Sequence, residues 1–252
     1  MTQGYFAETP PIPSPLEVPA RAMTIGAHPD DAEFGAGGTL ARWTAGGCEV
    51  LILVVTDGSK GTWDQTLDPA DLIRARRLEQ QRAGAVLDVS DTVMLGHRDG
   101  ELEYKMALRE ELCLWIRRFR PNVVLTHDPW RRYLLHPDHR VTGWAAVDGV
   151  VAARDHLFFP DQLKEGLTEH RPEALLLWAA EEPDHWEDIS DTFDQKVEAL
   201  LCHSSQGASS MSNANDNAEG RREFSGRLRQ RAAQQGKAVG LEAAEAFKMI
   251  LP

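Results

Sequence analysis

At 252 residues, with 42% hydrophobic and 26% charged side chains, the chain has a globular composition and enough length to bury a core without staples. Whole-chain disorder is excluded. So is a helical membrane span, because the longest aliphatic run, Val50 to Val55, falls far short of the ~18 residues a span needs. The net charge of −12 repels phosphate backbones and argues against nucleic-acid binding.

The three cysteines, Cys48, Cys113 and Cys202, are widely spaced and form no CxxC pair. They offer neither a disulfide framework nor a thiolate metal site. No basic start followed by an apolar stretch marks a secretory leader. The expected compartment is the cytoplasm.

Residues 1–20 carry Pro10, Pro11, Pro13, Pro15 and Pro19, which predicts an extended arm, either a loosely packed leader or a strap across a neighbour in a homo-oligomer. From Arg21 short apolar runs alternate with helical stretches. The expected order is strand 23–27, helix 35–45, strand 50–55, helix 69–87, strand 93–95 and helix 104–119. Strand 123–126, helix 141–154, strand 174–179 and helix 193–202 follow. The helix at 104–119 is the clearest, with Tyr104, Leu108, Leu112, Trp115, Ile116 and Phe119 on one stripe. Residues 204–220, rich in Ser, Asn and Gly, read as a long flexible loop, and 241–250 as a docking helix. Strand–helix alternation predicts a single α/β domain over 21–252. Its sheet is Rossmann-like and mostly parallel, with helices on both faces.

Two groups carry chemistry. Ala27-His28-Pro29-Asp30-Asp31 follows the first strand, and His136-Pro137-Asp138-His139 lies some ten residues beyond the strand at 123–126. In a parallel sheet both fall on the carboxyl edge, where ligands gather. A lone His–carboxylate pair at a strand end is usually a hydrogen-bonded surface group. Two such clusters on one edge point to a metal. Imidazole and carboxylate suit zinc or iron. His28 and Asp31 are three residues apart, so one turn can bring both to an ion, with His139 as a third ligand. Asp30, Asp138 and His136 are then left beside the ion, and a spare carboxylate there is a natural general base.

These motifs resemble the PIG-L/LmbE-like zinc deacetylases, which remove an acetyl group from an N-acetylglucosaminyl moiety. The resemblance runs over most of 23–203. It begins with Ala27-His28-Pro29-Asp30-Asp31-Ala32-Glu33-Phe34-Gly35, then Gly37-Gly38-Thr39-Leu40. It continues through Thr56-Asp57-Gly58-Ser59-Lys60-Gly61-Thr62, the pair Arg76 and Glu79, and Leu95-Gly96-His97-Arg98-Asp99-Gly100. Thr126-His127-Asp128 leads on to His136-Pro137-Asp138-His139, and Lys196, His203, Ser204 and Gln206 complete it. The resemblance implies a Zn2+ cofactor held by His28, Asp31 and His139. It implies Asp30 as general base and His136 as the group that polarises the amide carbonyl. Asp138 then orients a histidine, and Arg76 and Asp99 contact the sugar. Tyr133, displaced by one position from a family tyrosine, is the next candidate oxyanion donor. The implied partner is a small N-acetylated sugar, with neither nucleic acid nor membrane.

Two other readings stay open. His28, Asp30 and His139 fit a two-His, one-carboxylate iron oxygenase. A non-catalytic ligand-binding protein of the same fold is the other, although no GxGxxG follows the first strand. Trp63, Trp130 and Trp144 lie near the motifs and read either as core or as sugar-stacking surfaces. Arg131 and Arg132 read as solvated or as contacts for an anionic substrate group. His127 is expected to hydrogen-bond locally rather than ligate.

Overall fold

The structure, a computed structural model, describes residues 15–207, 209–211, 214 and 217–252. The first strands are β1 (Arg21–Gly26), β2 (Glu49–Thr56), β3 (Asp91–His97), β4 (Val123–His127) and β5 (Ala174–Trp178). Two more, β6 (His185–Asp188) and β7 (Ala244–Ile250), complete a seven-stranded sheet in the order β3-β2-β1-β4-β5-β7-β6. The first five run parallel, while β7 is antiparallel to both β5 and β6. The helices are α1 (Asp31–Ala45), α2 (Pro69–Val86), α3 (Met106–Phe119), α4 (Pro137–Ala153), α5 (Pro160–Lys164), α6 (Phe193–Leu201) and α7 (Ala218–Lys237).

Continuous apolar strands give the sheet two buried faces, as parallel sheets require. Val50, Ile52 and Val54 of β2 pack under α1, α2 and α6 with Leu40, Trp43, Leu87 and Ala199. The alternate residues Leu51, Leu53 and Val55 pack under α3 and α4 with Leu112, Ile116 and Val150. The expected single α/β domain with helices on both faces is what forms. Cys113 is buried in the second of these cores, and all three cysteines are free.

The helix expected at 241–250 is instead strand β7, threaded between β5 and β6. Its Leu, Ala and Glu residues favour a helix locally, but the sheet position outweighs that weak preference. The expected loop at 204–220 contains a 3-10 turn at Ser204–Gln206 and ends where α7 begins. Helix α7 is polar almost all round. Only Phe224 and Ala232 with half-buried Leu228 form a narrow inward stripe, and the Asn217 side chain caps its start by accepting from Gly220 N–H at 2.8 Å. Tyr104 lies outside α3, with its hydroxyl donated to Asp148. Of the proline-rich arm, residues 1–14 lie outside the described part. Leu16 packs on this chain's own core, and its N–H donates to Glu187 at 2.9 Å.

One buried cation ties α3 to α4. Arg117, 1% exposed, donates to the carbonyls of Ala152 at 3.0 Å, Ala153 at 3.3 Å, Asp155 at 2.8 Å and Phe158 at 3.0 Å. Its counter-charge is the negative end of the α4 dipole. Arg117→Lys keeps the charge but not the fork, and leaves buried carbonyls unmet. The expected loss is about 1.5–3 kcal/mol of stability, read as a lower urea midpoint by circular dichroism.

Candidate active site

Strand β1 leads to β2 and β3 on one side, whereas β4 lies on its other side. The crevice between the carboxyl ends of β1 and β4 is therefore the sheet's topological switch point. Both histidine motifs end up there, and both are the first turns of helices. Pro137 starts α4 with His136 at its N-cap, and Asp31 starts α1 with Asp30 at its N-cap. The sequence reading began these helices four residues late, at 35 and 141. The available signal was Pro137 at the first helical position of α4, followed by Asp138, and the acidic first turn of α1, Asp31 and Glu33. Asp30 takes φ 98°, a strained left-handed conformation for a residue with a side chain.

Three expected ligands converge. His28 Nδ1 lies 3.2 Å from His139 Nε2 and 3.5 Å from Asp31 Oδ2, and His139 Nε2 lies 3.3 Å from Asp31 Oδ1. The two nitrogens stand at the spacing of ligands set tetrahedrally at zinc bond lengths of about 2.0–2.1 Å, and each has one oxygen of Asp31 at a similar distance. The donor set thus fits the metal that the motifs imply. Ligand atoms also gather in the groups His28, His136 and His139, Asp31, His127 and His139, and His28, Asp99 and Asp138, and the His136 ring stacks on His139 at 4.7 Å.

The surrounding carboxylates fix the imidazoles. His28 Nε2 faces Asp99 Oδ1 at 3.1 Å and Asp138 Oδ2 at 3.3 Å. Asp138, fully buried, is held in turn by the N–H groups of Gly100 at 2.6 Å and Leu102 at 3.4 Å. Burial alone would lower the pKa of His28, yet hydrogen bonds to Asp138, Asp31 and Asp99 raise it to about 11. The cluster is built to hold positive charge. Asp31 stays well below the usual carboxylate range, because His139 and His127 outweigh its burial.

His127 does hydrogen-bond locally, and its partner is a candidate ligand. Trp178 Nε1–H donates to His127 Nδ1 at 3.0 Å, so Nε2 carries the proton and donates to Asp31 Oδ2 at 3.1 Å. Such outer bonds orient metal ligands.

Asp30 is fully inside the protein, and burial raises its carboxyl to about 6 against the opposing pull of Arg76 and His203. Its Oδ2 lies 3.6 Å from Arg76 and accepts from Ser210 Oγ at 3.4 Å. Gln80 bridges the loop to α1, accepting from Asp30 N–H at 3.2 Å and donating to Glu33 at 2.6 Å. Nothing in the sequence reading singled out Gln80 or Ser210, since amide and hydroxyl side chains carry no spacing signal.

Arg76 and Asp99, expected to meet sugar, line the cavity but are 2% and 4% exposed and already engaged. Arg76 donates to Pro29 O at 2.6 Å and to Gly58 O at 3.1 Å, and it lies so close over Gly58, whose φ is 68°, that a Cβ there would come within 2.8 Å of the guanidinium. Asp99 Oδ2 accepts from Lys60 N–H at 2.9 Å. The remaining motif residues brace the same loops. Glu79 accepts from Ser204 and Ser205, Gln206 donates to Gly61 O at 2.9 Å, and Lys196 donates to Phe34 O at 2.9 Å. Tyr133 is 95% exposed and is not part of the cavity wall. Arg132 is paired with Glu181 in solvent, whereas Arg131 faces the cavity.

The cavity above the cluster measures about 700 Å³ and is walled by the β2–α2 loop, the loop before α4, and α7. That size accommodates a ligand well beyond one small ring.

Residues 23–150 match the family profile described as PIG-L: GlcNAc-PI de-N-acetylase. A diacetylchitobiose deacetylase from Thermococcus kodakarensis is 35% identical over 195 residues, spanning 77% of this chain and 73% of that protein. A 1D-myo-inositol 2-acetamido-2-deoxy-alpha-D-glucopyranoside deacetylase from Actinosynnema mirum is 28% identical over 76% of this chain and 82% of its own. Among solved structures, the N,N'-diacetylchitobiose deacetylase from Pyrococcus horikoshii superposes with a TM-score of 0.84 at 30% identity, covering 92% of this chain and 84% of that one. The iron-oxygenase reading and the non-catalytic reading both give way to this likeness. The chain belongs to the PIG-L family of de-N-acetylases.

Proposed function

We propose that this enzyme hydrolyses the N-acetyl group of an N-acetylglucosamine-type sugar or glycoconjugate, with zinc held by His28, Asp31 and His139. The observation that carries the reading is the convergence of His28 Nδ1, His139 Nε2 and the two carboxylate oxygens of Asp31, at 3.2 to 3.5 Å, next to the buried carboxylate of Asp30. Bound zinc supplies a Lewis acid that lowers the pKa of water toward ~7.

The chain's own groups do the rest. Asp30 accepts the proton of the attacking water. His136 donates to the oxygen of the acetyl carbonyl as charge grows there. The amide C–N bond breaks, and the proton held by Asp30 passes to the leaving nitrogen, giving acetate and a free amine. Asp138 and Asp99 fix the His28 ring, and His127 fixes Asp31. Three free cysteines suit a reducing compartment, and we assign the protein to the cytoplasm. Among the described residues no helix is long and apolar enough to cross a membrane.

The test is acetate release from a panel of N-acetylated sugars by the zinc-loaded protein. A protein that holds zinc yet releases no acetate from any of them defeats the reading. His136→Ala should cost roughly 10²–10³ in rate, as loss of one oxyanion donor does elsewhere, with zinc content barely changed. An unaltered rate would move the donor role elsewhere. Asp99→Ala separates its two candidate roles. As a partner of His28 it should lower zinc affinity about 10- to 100-fold and slow every substrate alike. As a sugar contact it should spare the metal and simple acetamides.

A further inference from the structure

The cavity over the metal cluster crosses the carboxyl edge of the sheet, and its two ends differ in chemistry. One end is walled by Lys60, Thr62, Arg76 and Asp99, from α2 and the segments after β2 and β3. Trp63 borders this end too, but it is 78% exposed and meets solvent rather than closing a wall. The other end lies beyond β4, past the carboxyl end of β5. Strand β7 runs antiparallel to β5 with Phe247 opposite Trp178, so its first residues extend past that end. There Trp178, Ala179, Ala244 and Ala246 form the wall with Leu228 and Ala232 of α7. Lys196 and Glu245 also reach it, but they are bonded to each other and are 6% and 3% exposed. Arg231, exposed, and Gln235, half-buried, border it from α7.

The reacting centre stands between the two ends. Strands β1 and β4, which lead to His28 and His139, lie between β2 and β5 in the sheet. Trp178 is bonded to His127 at 3.0 Å, and the His127 ring stacks on His139 at 4.2 Å. Only that ring separates the apolar end from a candidate zinc ligand. The indole is wedged against α1, since a Cβ on Gly35 would come within 2.5 Å of it.

An N-acylated sugar is divided in the same way. Its hydroxyls lie on one side of the amide, and its acyl hydrocarbon lies on the other. With the amide carbonyl at the metal cluster, the ring falls toward Asp99 and the acyl group toward Trp178. The reverse placement would strip water from hydroxyls at an alanine-lined wall that offers them no partners, which is costly. An acetyl group puts one methyl into the apolar end. Ala179, Ala232, Ala244 and Ala246 leave space that larger side chains would fill, in a cavity of about 700 Å³.

We propose that this end is an acyl pocket, and that the enzyme hydrolyses N-acyl sugars whose chain is longer than acetyl. This rests on the deacetylase reading above. The reaction keeps its form: water adds to the carbonyl carbon and the C–N bond breaks. The proton taken from the water passes to the nitrogen, giving the carboxylic acid of the chain and a free amine. Glucosamine release is measured for the zinc-loaded wild type with N-acetyl-, N-propionyl- and N-butyryl-glucosamine. The value of kcat/KM should rise about 3- to 4-fold with each methylene, the gain from taking one CH2 out of water. A profile that stays flat or falls with chain length overturns the pocket and leaves the deacetylase reading standing. A pocket closed around a methyl would reject the first added methylene roughly 10-fold or more. Ala246→Leu and Leu228→Trp fill the same end from β7 and from α7. Each should lower the butyryl-to-acetyl ratio of kcat/KM roughly 10-fold, and a wild-type ratio in both overturns the placement of the chain. Should the wild type release no glucosamine from any of the three, the deacetylase reading fails, and calorimetric titration with the same sugars decides the pocket. Binding that tightens with chain length supports it. Binding independent of chain length overturns it.

Discussion

Asp30→Asn should hold zinc as well as the wild type does and lose roughly 10²–10⁴ of its turnover, the range a positioned general base contributes. The two adjacent aspartates are close in sequence but face different partners. Asp31 belongs to the converging ligand set, with its oxygens 3.3 Å from His139 and 3.5 Å from His28. Asp30 turns instead toward Arg76 and Ser210. Its replacement by an amide keeps the shape and removes the basic oxygen. Asp31→Asn should do the reverse and release the metal first. Metal analysis and acetate release on the two variants separate these roles. If Asp30→Asn loses zinc while Asp31→Asn keeps it, the ligand set is His28, Asp30 and His139, and the assignment of the base is wrong.

The second large effect is expected on the stability of the fold. Lys196→Met should destabilise the fold by about 3–5 kcal/mol, the usual cost of stripping one partner from a buried ion pair. Lys196 and Glu245 are 6% and 3% exposed and bond at 2.5 Å. Glu245 also accepts from Gly38 N–H at 3.0 Å and Thr39 N–H at 2.8 Å, so the pair grips the middle of α1. The double variant Lys196→Met with Glu245→Gln should be more stable than Lys196→Met alone, because no buried charge is left unpaired. Urea unfolding of the single and double variants measures this. Strictly additive losses would mean that the two side chains do not act as a pair.

The five parallel strands were legible because each is a short aliphatic run between helical stretches. So was the joining of the two histidine motifs, since both follow strands that end on the same edge. The start of α1 was not, because a motif read for its chemistry was taken for loop although it is also a helix turn. Strand β7 was hidden by its own composition. Glu245 looks like a surface residue of a helix and is in fact a buried partner for Lys196. Helix α7 was hidden by its polarity, since Phe224, Leu228 and Ala232 make too thin a stripe to register. His127 was visible as a strand-end histidine, but only the Trp178 indole bonded to its Nδ1 shows which nitrogen is left for Asp31. That contact joins residues 51 positions apart and has no signature in local spacing.

The position of β7 also orders the assembly of the molecule. The seventh strand in chain order does not sit at the rim of the sheet but between β5 and β6, and β6 meets the sheet through it. Glu245 reaches α1 across 207 residues of chain. Contacts of such sequence separation form late and slowly. Until synthesis passes residue 250, the nascent domain therefore exposes the unpaired flank of β5 and keeps Lys196 without its counterion. That exposed flank is the stage most open to intermolecular strand pairing. The yield of folded protein should accordingly depend more on how long the flank of β5 stays uncovered than on the stability of the finished enzyme.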